Sequence, residues 1–276
     1  MSGASGVYGR YLVRFDAFDR FLHALMMVAF LGLAFTGLPL LFAEAAWASR
    51  FAHAIGGFEA AAILHRISAA GMLLCFGLHL GRVVRRLLRR DWGVLWGPNS
   101  MVPRPKDFSD FFGHIRWFLG KGPRPSFDRF TYWEKFDYWA VFWGMAIIGG
   151  SGLVLWFPKL FARILPGWLF NVALLVHGEE ALLAVGFIFT VHFFNGHLRP
   201  EKFPMDTVIF TGVVPEEEVR VERPTEYERL VSTGQLEPLS APPPTLLRRR
   251  WSFAVGAIVV LLGLVLVGFT IYAALT

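Results

Sequence analysis

The sequence predicts an all-α membrane protein: a transmembrane helical bundle with a four-helix core and a fifth transmembrane helix at the C-terminus. Of the 276 residues, 55% are hydrophobic and 16% are aromatic, which is too apolar for an ordinary soluble domain of this length. Five apolar runs are also present, each close to the roughly 20 residues that cross the hydrocarbon core of a bilayer. The runs cover residues 21–42, 60–80, 138–157, 168–194 and 253–275.

Lysine and arginine residues are concentrated in alternate connections. The segment before the first run, residues 82–135 and residues 199–250 hold most of them. The other two connections hold only Arg50, Lys159 and Arg163. Because basic connections stay on the cytoplasmic side, we expect a cytoplasmic N-terminus and an external C-terminus in the cytoplasmic (inner) membrane of a bacterium. The net charge of +6 then reflects orientation and contact with membrane lipid, and no nucleic-acid partner is expected.

Two pairs of histidines recur at nearly the same spacing in the second and fourth runs. His65 and His79 are fourteen residues apart, and His177 and His192 are fifteen apart. At about 100° and 1.5 Å per residue, each pair lies on one helix face with its rings roughly 21 Å apart. Ionisable residues in membrane spans are costly and usually functional, and two imidazoles fill both axial positions of a haem iron. The pattern predicts two b-type haems that carry electrons across the membrane.

The simplest ligand assignment follows from the levels of these histidines in the bilayer. It pairs His65 with His177 at an outer haem and His79 with His192 at an inner haem. Because the second and fourth runs point in the same direction, the members of each pair lie at matching depth. The first position of each repeated unit is His23 in one and Tyr138 in the other, which favours His79 as the inner ligand.

His23 lies at the cytoplasmic end of the first run and opens three alternatives. It replaces His79 as the partner of His192, it binds a third haem together with His197, or it hydrogen-bonds a haem propionate. The sequence leaves these open, and with them the choice between two haems and three.

Arg66, next to His65, is the one arginine well inside a predicted span. It is a candidate partner for a haem propionate or for Glu179 or Glu180, which follow His177. The single cysteine, Cys75, excludes a disulfide, a covalent c-type haem and a cysteine-ligated iron–sulfur cluster. Any haem is therefore expected to be held without covalent attachment.

The first four runs resemble a duplicated two-helix unit. Residues 36–38 (Thr-Gly-Leu) parallel residues 151–153 (Ser-Gly-Leu) at an offset of 115. His65 parallels His177 at an offset of 112. Both units start on the same side of the membrane, so the sequence predicts a parallel repeat.

The connection 82–135 is expected to act locally. In the connection 82–135, residues 109–120 are expected to form a short interfacial helix. Its lipid-facing residues would be Phe111, Phe112, Ile115 and Phe118. His53 and His114 fall in connections, where solvated or interfacial imidazoles are expected.

We divide the chain into three parts. Residues 1–210 form the four-helix di-haem domain, residues 211–250 a cytoplasmic connection, and residues 251–276 the C-terminal transmembrane helix. The connection is long enough to dock on another subunit but lacks the apolar content of a separate domain. The last run carries no charge and no histidine from residue 253 onward, which is typical of an anchor or subunit-packing helix.

Residues 14–210 resemble the di-haem cytochrome b subunits of formate dehydrogenase, thiosulfate reductase and nickel–iron hydrogenase. The motifs are Phe-Asp-Arg-Phe-Leu-His at 18–23, Leu-His at 64–65, His177 with His192, and His-Leu-Arg-Pro-Glu-Lys at 197–202. The resemblance implies that His65 pairs with His177 and that His23 pairs with His192. His79 is an addition to that pattern, so the inner ligand is His23 by resemblance and His79 by the internal repeat.

The resemblance also implies a quinone site beside the cytoplasmic haem, on the connection that enters the third run. The candidate residues are Arg129, Thr131, Glu134, Lys135 and His197. An aromatic-rich anchor in the lipid headgroups is the alternative explanation of this stretch.

The expected function is electron transfer between the quinone pool and a partner redox subunit. Because the chain has no catalytic centre of its own, that partner would be an iron–sulfur, molybdenum or multihaem cytochrome c subunit. The chain is then an electron-transfer subunit of a quinone-linked oxidoreductase complex. The alternatives are a haem-free membrane anchor or transporter subunit, and a stand-alone quinone reductase.

Overall fold

The computed structural model describes residues 9–275, and the fold is 72% helical. Within these residues, five helices are long and apolar enough to cross a membrane, and we call them spans 1 to 5. They are Ala17–Leu41, Gly57–Leu88, Tyr132–Trp156, Trp168–Leu198 and Leu246–Tyr272. The predicted all-α bundle with five transmembrane helices is confirmed, and the chain is a multi-pass membrane protein.

The spans are longer than the apolar runs that predicted them. Span 2 continues from residue 80 to Leu88, and span 3 begins at Tyr132 rather than at residue 138. Apolar content marks the part of a helix that lies in hydrocarbon, whereas backbone hydrogen bonding continues into the polar flanks. The ends of the helices are therefore set by capping groups rather than by the limits of the hydrophobic run.

Spans 1 and 3 begin with the same kind of reciprocal cap. Asp16 Oδ1 accepts a hydrogen bond of 2.7 Å from the Asp19 N–H, and Asp19 Oδ2 accepts one of 3.3 Å from the Asp16 N–H. Glu134 Oε2 accepts from the Thr131 N–H at 2.8 Å, and Thr131 Oγ1 accepts from the Glu134 N–H at 3.4 Å. Each arrangement satisfies backbone donors that the first helical turn leaves open. The two caps are 115 residues apart, the offset of the internal repeat.

The chain divides into two compact units. One unit contains the central parts of the spans: residues Phe21–Leu80, Val141–Asp206 and the chain from Phe253 onward. Its core joins spans 1, 4 and 5 through Ala34, Leu38, Val185, Phe189, Phe193 and Leu266. A Cβ at Gly263 would collide with the rings of Phe189 and Phe193, so span 5 packs closely because it has a glycine there.

Spans 3 and 4 contain π-helical turns. These turns are Met145–Gly149 in span 3, and Ile188–His192 and Phe194–Leu198 in span 4. A π turn widens the helix by one residue and is frequent at functional sites. The turn in span 3 ends two residues before Ser151, and in span 4 one turn ends at His192 and the other contains His197.

Of the described residues, the second unit comprises residues 9–20, Gly81–Ala140 and Thr207–Ser252. It contains a small antiparallel sheet in the order β2-β1-β3, with β1 at Tyr11–Val13, β2 at Val213–Pro215 and β3 at Ser240–Ala241. Leu12 of β1 packs on Val214 and Val219. The connection after span 4 therefore folds together with the strand near the N-terminus.

The remaining helices are short. They are Ala46–Ala54, Gly93–Trp96, Pro105–Phe118, Pro158–Phe161, Val208–Thr211, Glu216–Glu222 and Pro224–Ser232. Pro105–Phe118, which we call the connecting helix, begins earlier than the expected residue 109. Its Arg104 N–H donates to Asp107 Oδ2 at 2.6 Å, and this cap sets the earlier start.

Candidate functional site

His65 of span 2 and His177 of span 4 lie next to each other. Their ring centroids are 6.2 Å apart, and the ring planes are inclined at 75°. The structure therefore brings together the two histidines that the sequence analysis paired at the outer level.

Each of these imidazoles is hydrogen-bonded through Nδ1 to a neighbouring span. Thr36 Oγ1 of span 1 lies 3.0 Å from His65 Nδ1. Ser151 Oγ of span 3 lies 3.3 Å from His177 Nδ1, and the Ile148 carbonyl oxygen lies 3.0 Å from the same nitrogen. Both rings are thus held from the side opposite to Nε2.

The hydrogen-bond partners fix where the imidazole proton resides. A carbonyl oxygen only accepts, so the contact with Ile148 requires that His177 Nδ1 carries the proton. A neutral imidazole has one N–H, and Nε2 of His177 therefore keeps its lone pair. That nitrogen is the one a metal would bind.

A glycine follows Thr36 and another follows Ser151. These glycines leave space for the rings of His65 and His177. A Cβ at Gly37 would lie 3.1 Å from His65 Cε1, and a Cβ at Gly152 would lie 3.0 Å from His177 Cε1. These distances are tighter than ordinary van der Waals contact. The Thr-Gly and Ser-Gly pairs of the repeat thus have the same role at the two histidines: one residue contacts Nδ1 and the next clears space for the ring.

The candidate ligands at the inner level are His23, His79, His192 and His197. The imidazoles of His192 and His197 lie within electrostatic range of His23. The ring of His79 lies close to that of Phe142, with centroids 6.1 Å apart and the ring planes inclined at 79°. Nδ1 of His197 is buried and has no hydrogen-bond partner in the part of the chain that the structure describes. The structure brings His23 together with His192 and His197.

Arg66 does not pair with the acids expected for it. Its side chain is exposed, and within residues 9–275 it makes no ion pair with Glu179 or Glu180. Glu180 Oε2 instead accepts a hydrogen bond of 3.1 Å from Trp143 Nε1. The remaining partner that the sequence predicts for Arg66 is a haem propionate.

The polar residues at the start of span 3 are engaged in contacts within the protein. Lys135, 7% exposed, donates to both carboxylate oxygens of Asp107 at 2.8 and 2.9 Å. The Thr131 hydroxyl donates to Glu134 Oε2 at 2.7 Å, and the guanidinium of Arg223 contacts both oxygens of Glu134 at 3.0 Å. These three candidates for quinone contact thus help to hold the connecting helix and the late connection against span 3.

Arg129 belongs to a second buried group of charges. Its guanidinium lies 3.5 Å from Glu226, which also pairs with Arg14 at 2.8 Å. Burial and then the charge of Arg223 lower the pKa of Arg14 to about 10, and Glu226 opposes this change. Burial also opposes protonation of Arg223, but the charge and hydrogen bond of Glu134 raise its pKa above the usual value.

His114 is buried, contrary to the expectation of a solvated or interfacial imidazole. It is 8% exposed, its Nδ1 lies 3.0 Å from the Tyr132 hydroxyl, and its ring stacks on Phe118 with centroids 4.7 Å apart. Phe127 and Trp133 complete an aromatic surround. Sequence reasoning missed this site because its members come from separate segments. His53, by contrast, is exposed as expected.

Comparison of the chain with protein-family models and with curated proteins gives no match. Within the described residues, no three His, Cys, Asp or Glu side chains converge as a metal-binding group. A bis-histidine haem needs only two protein ligands, one on each side of the porphyrin. The pair His65 and His177 supplies that number of ligands.

Proposed function

We propose that this protein is a membrane cytochrome b subunit, which transfers electrons across the bilayer between the quinone pool and a partner redox subunit through bis-histidine b haems. The observation that carries the proposal is the pair His65 and His177, held from two other spans through Nδ1. Lipid contact follows from the five spans. The quinone, the bacterial inner membrane and the iron–sulfur, molybdenum or multihaem cytochrome c partner are parts of the proposal.

The spacing of this pair supports the fit of a haem. A transition metal bound between two imidazoles by bonds of about 2 Å each places the ring centres about 6 Å apart. The ring centroids of His65 and His177 are 6.2 Å apart. The two imidazole planes are inclined at 75°, and two rings that bind one iron from opposite sides would not need to be parallel.

The proton arrangement supports the same fit. Nδ1 of His177 is protonated because it donates to a carbonyl, and the corresponding contact of His65 is with Thr36 Oγ1. This leaves Nε2 of both rings as the coordinating atom. The glycines at 37 and 152 keep the rings unobstructed on the side of spans 1 and 3.

When bound, a haem with two histidine ligands supplies reversible one-electron transfer and has no open position for oxygen or substrate. His65 and His177 would hold the iron of the outer haem, and Thr36 and Ser151 contact the Nδ1 atoms of these two rings. His192 lies fifteen residues further along span 4 than His177, so one helix contributes to both candidate levels. His23 supplies the opposing imidazole at the inner level in our proposal, with His79 as the alternative.

The test is the haem content of the purified full chain in detergent, measured by pyridine haemochrome. We expect two b haems per chain, and one fewer in His65→Ala and in His177→Ala. His53→Ala, at an exposed histidine, is the matched control and should keep both haems. A chain without b haem, or a His177→Ala variant with full haem content, would overturn the proposal.

A further inference from the structure

The hydroxyl groups of Thr36 and Ser151 each donate their proton to a backbone carbonyl oxygen of their own span. Thr36 Oγ1 donates to the Gly32 carbonyl oxygen at 2.6 Å, four residues earlier in span 1. Ser151 Oγ donates to the Ile147 carbonyl oxygen at 2.6 Å, four residues earlier in span 3. A hydroxyl has one proton, so each oxygen is left to accept at the histidine.

We propose that Thr36 and Ser151 are positioning residues that hold His65 and His177 in the Nδ1–H form and lower the redox potential of the outer haem. This inference rests on the function proposed above. Each hydroxyl accepts the Nδ1 proton and so makes Nε2 a stronger electron donor to iron. A stronger donor stabilises the ferric form more than the ferrous form, which lowers the potential.

Packing alone does not account for these contacts. Serine and threonine in membrane helices ordinarily return their proton to a carbonyl one turn earlier and need no other partner. Thr270 of span 5 does this, with its Oγ1 2.9 Å from the Leu266 carbonyl oxygen. Thr36 and Ser151 make the same bond, and each also reaches the Nδ1 of a histidine on another span.

The backbone adds a second acceptor at each ring. The Ile148 carbonyl oxygen lies 3.0 Å from His177 Nδ1. The Leu33 carbonyl, 115 residues earlier in the chain, is its counterpart near His65. Removing a hydroxyl therefore leaves the proton on Nδ1 but weakens the hydrogen bond to it. We expect a graded change in potential rather than loss of the haem.

The two sites are expected to respond unequally. At His177 the carbonyl of Ile148 is the shorter contact and Ser151 the longer one, at 3.0 and 3.3 Å. At His65 the hydroxyl of Thr36 is itself at 3.0 Å. Replacing Thr36 should therefore change the potential more than replacing Ser151.

The experiment is an optical redox titration of the full chain in lipid nanodiscs, with the outer haem identified as the one missing from His177→Ala. Thr36→Val keeps the shape of the side chain and removes the hydroxyl. We expect the potential of the outer haem in this variant to rise by about 20 to 60 mV. At about 59 mV per tenfold for one electron, this is a two- to tenfold change in the equilibrium constant for reduction of the haem. Ser151→Ala should raise the potential of the outer haem less than Thr36→Val does. The variant that carries both substitutions should raise it more than either one alone.

Thr270→Val is the matched control, because it removes the same intrahelical bond without touching a histidine. Thr36→Ser keeps the hydroxyl and should keep the wild-type potential, which separates the role of the hydroxyl from a packing defect. An outer potential that is unchanged in Thr36→Val while both haems are retained overturns this inference alone. A wild-type chain without haem overturns the proposed function instead.

Discussion

Arg14 and Glu226 form a buried ion pair, with Nη1 and Oε2 2.8 Å apart and with side chains only 5% and 3% exposed. The two residues are 212 positions apart in the chain. Arg14 follows strand β1, and Glu226 lies in the helix Pro224–Ser232 of the late connection. The Arg14 guanidinium also donates to the Arg129 carbonyl oxygen. This side chain therefore contacts both the segment before span 3 and the late connection.

We expect Glu226→Gln to destabilise this unit by about 3–5 kcal/mol, because it leaves the buried guanidinium of Arg14 without a compensating charge. The measurement is the rate of limited proteolysis in residues 207–252, together with the melting temperature. Glu217→Gln is the control, since its pair with Arg220 is exposed and should not matter. Equal protease resistance of Glu226→Gln and the parent protein would show that the ion pair does not hold the late connection.

Gly152 is expected to be intolerant of a side chain. In Gly152→Ala the new Cβ would lie 3.0 Å from His177 Cε1, so the ring must move. Displacement of a ligand or of its support typically lowers metal affinity by about 10–100-fold. We therefore expect Gly152→Ala to lose most of the outer haem during purification, measured by pyridine haemochrome.

Gly150→Ala provides a control on the same helix, because nothing lies within 4 Å of a Cβ at that position. It should retain full haem content. Comparable haem loss in both alanine variants would attribute the effect to the helix as a whole rather than to the imidazole of His177.

The identity of the inner ligand is testable with single substitutions. His23 lies within electrostatic range of His192, whereas His79 contacts the Phe142 ring. We expect His23→Ala and His192→Ala each to remove the inner haem, and His79→Ala to keep both haems. Loss of a haem in His79→Ala with retention in His23→Ala would reverse the assignment in favour of the internal repeat.

The connecting helix carries a row of exposed apolar side chains. The row consists of Phe108, Phe111, Phe112, Ile115 and Phe118, each between 41% and 72% exposed. Such a helix is suited to lie at the membrane surface with this row in the headgroup region. We expect Phe112→Glu to speed hydrogen exchange across residues 105–118 in lipid nanodiscs, whereas Ser109→Glu, at an exposed polar position, should not. Unchanged exchange in Phe112→Glu would indicate that lipid does not cover the row.

How much of this architecture the sequence can predict depends on how local the governing interaction is. The five spans follow from contiguous apolar runs, and the pairing of His65 with His177 follows from helical spacing and the repeat. The ion pair of Arg14 with Glu226 could not be predicted, because pairing over such a separation leaves no periodic pattern. His114 was missed for a related reason: its burial comes from rings on segments that meet only in the folded chain.

Among the candidates for quinone contact, His197 has a ring nitrogen that could still form a hydrogen bond. Its Nδ1 is buried and has no hydrogen-bond partner among the described residues, whereas Lys135 is paired with Asp107. A buried imidazole nitrogen of this kind is suited to hydrogen-bond a quinone carbonyl. In stopped-flow reduction of the haems by a soluble quinol, we expect His197→Ala to raise the quinol KM at least tenfold with unchanged haem content.

Lys135→Met should instead lower the melting temperature, because it leaves a charged Asp107 without its partner, and should have little effect on KM. A variant at His197 with normal quinol kinetics, or one that loses a haem, would assign the residue to another role.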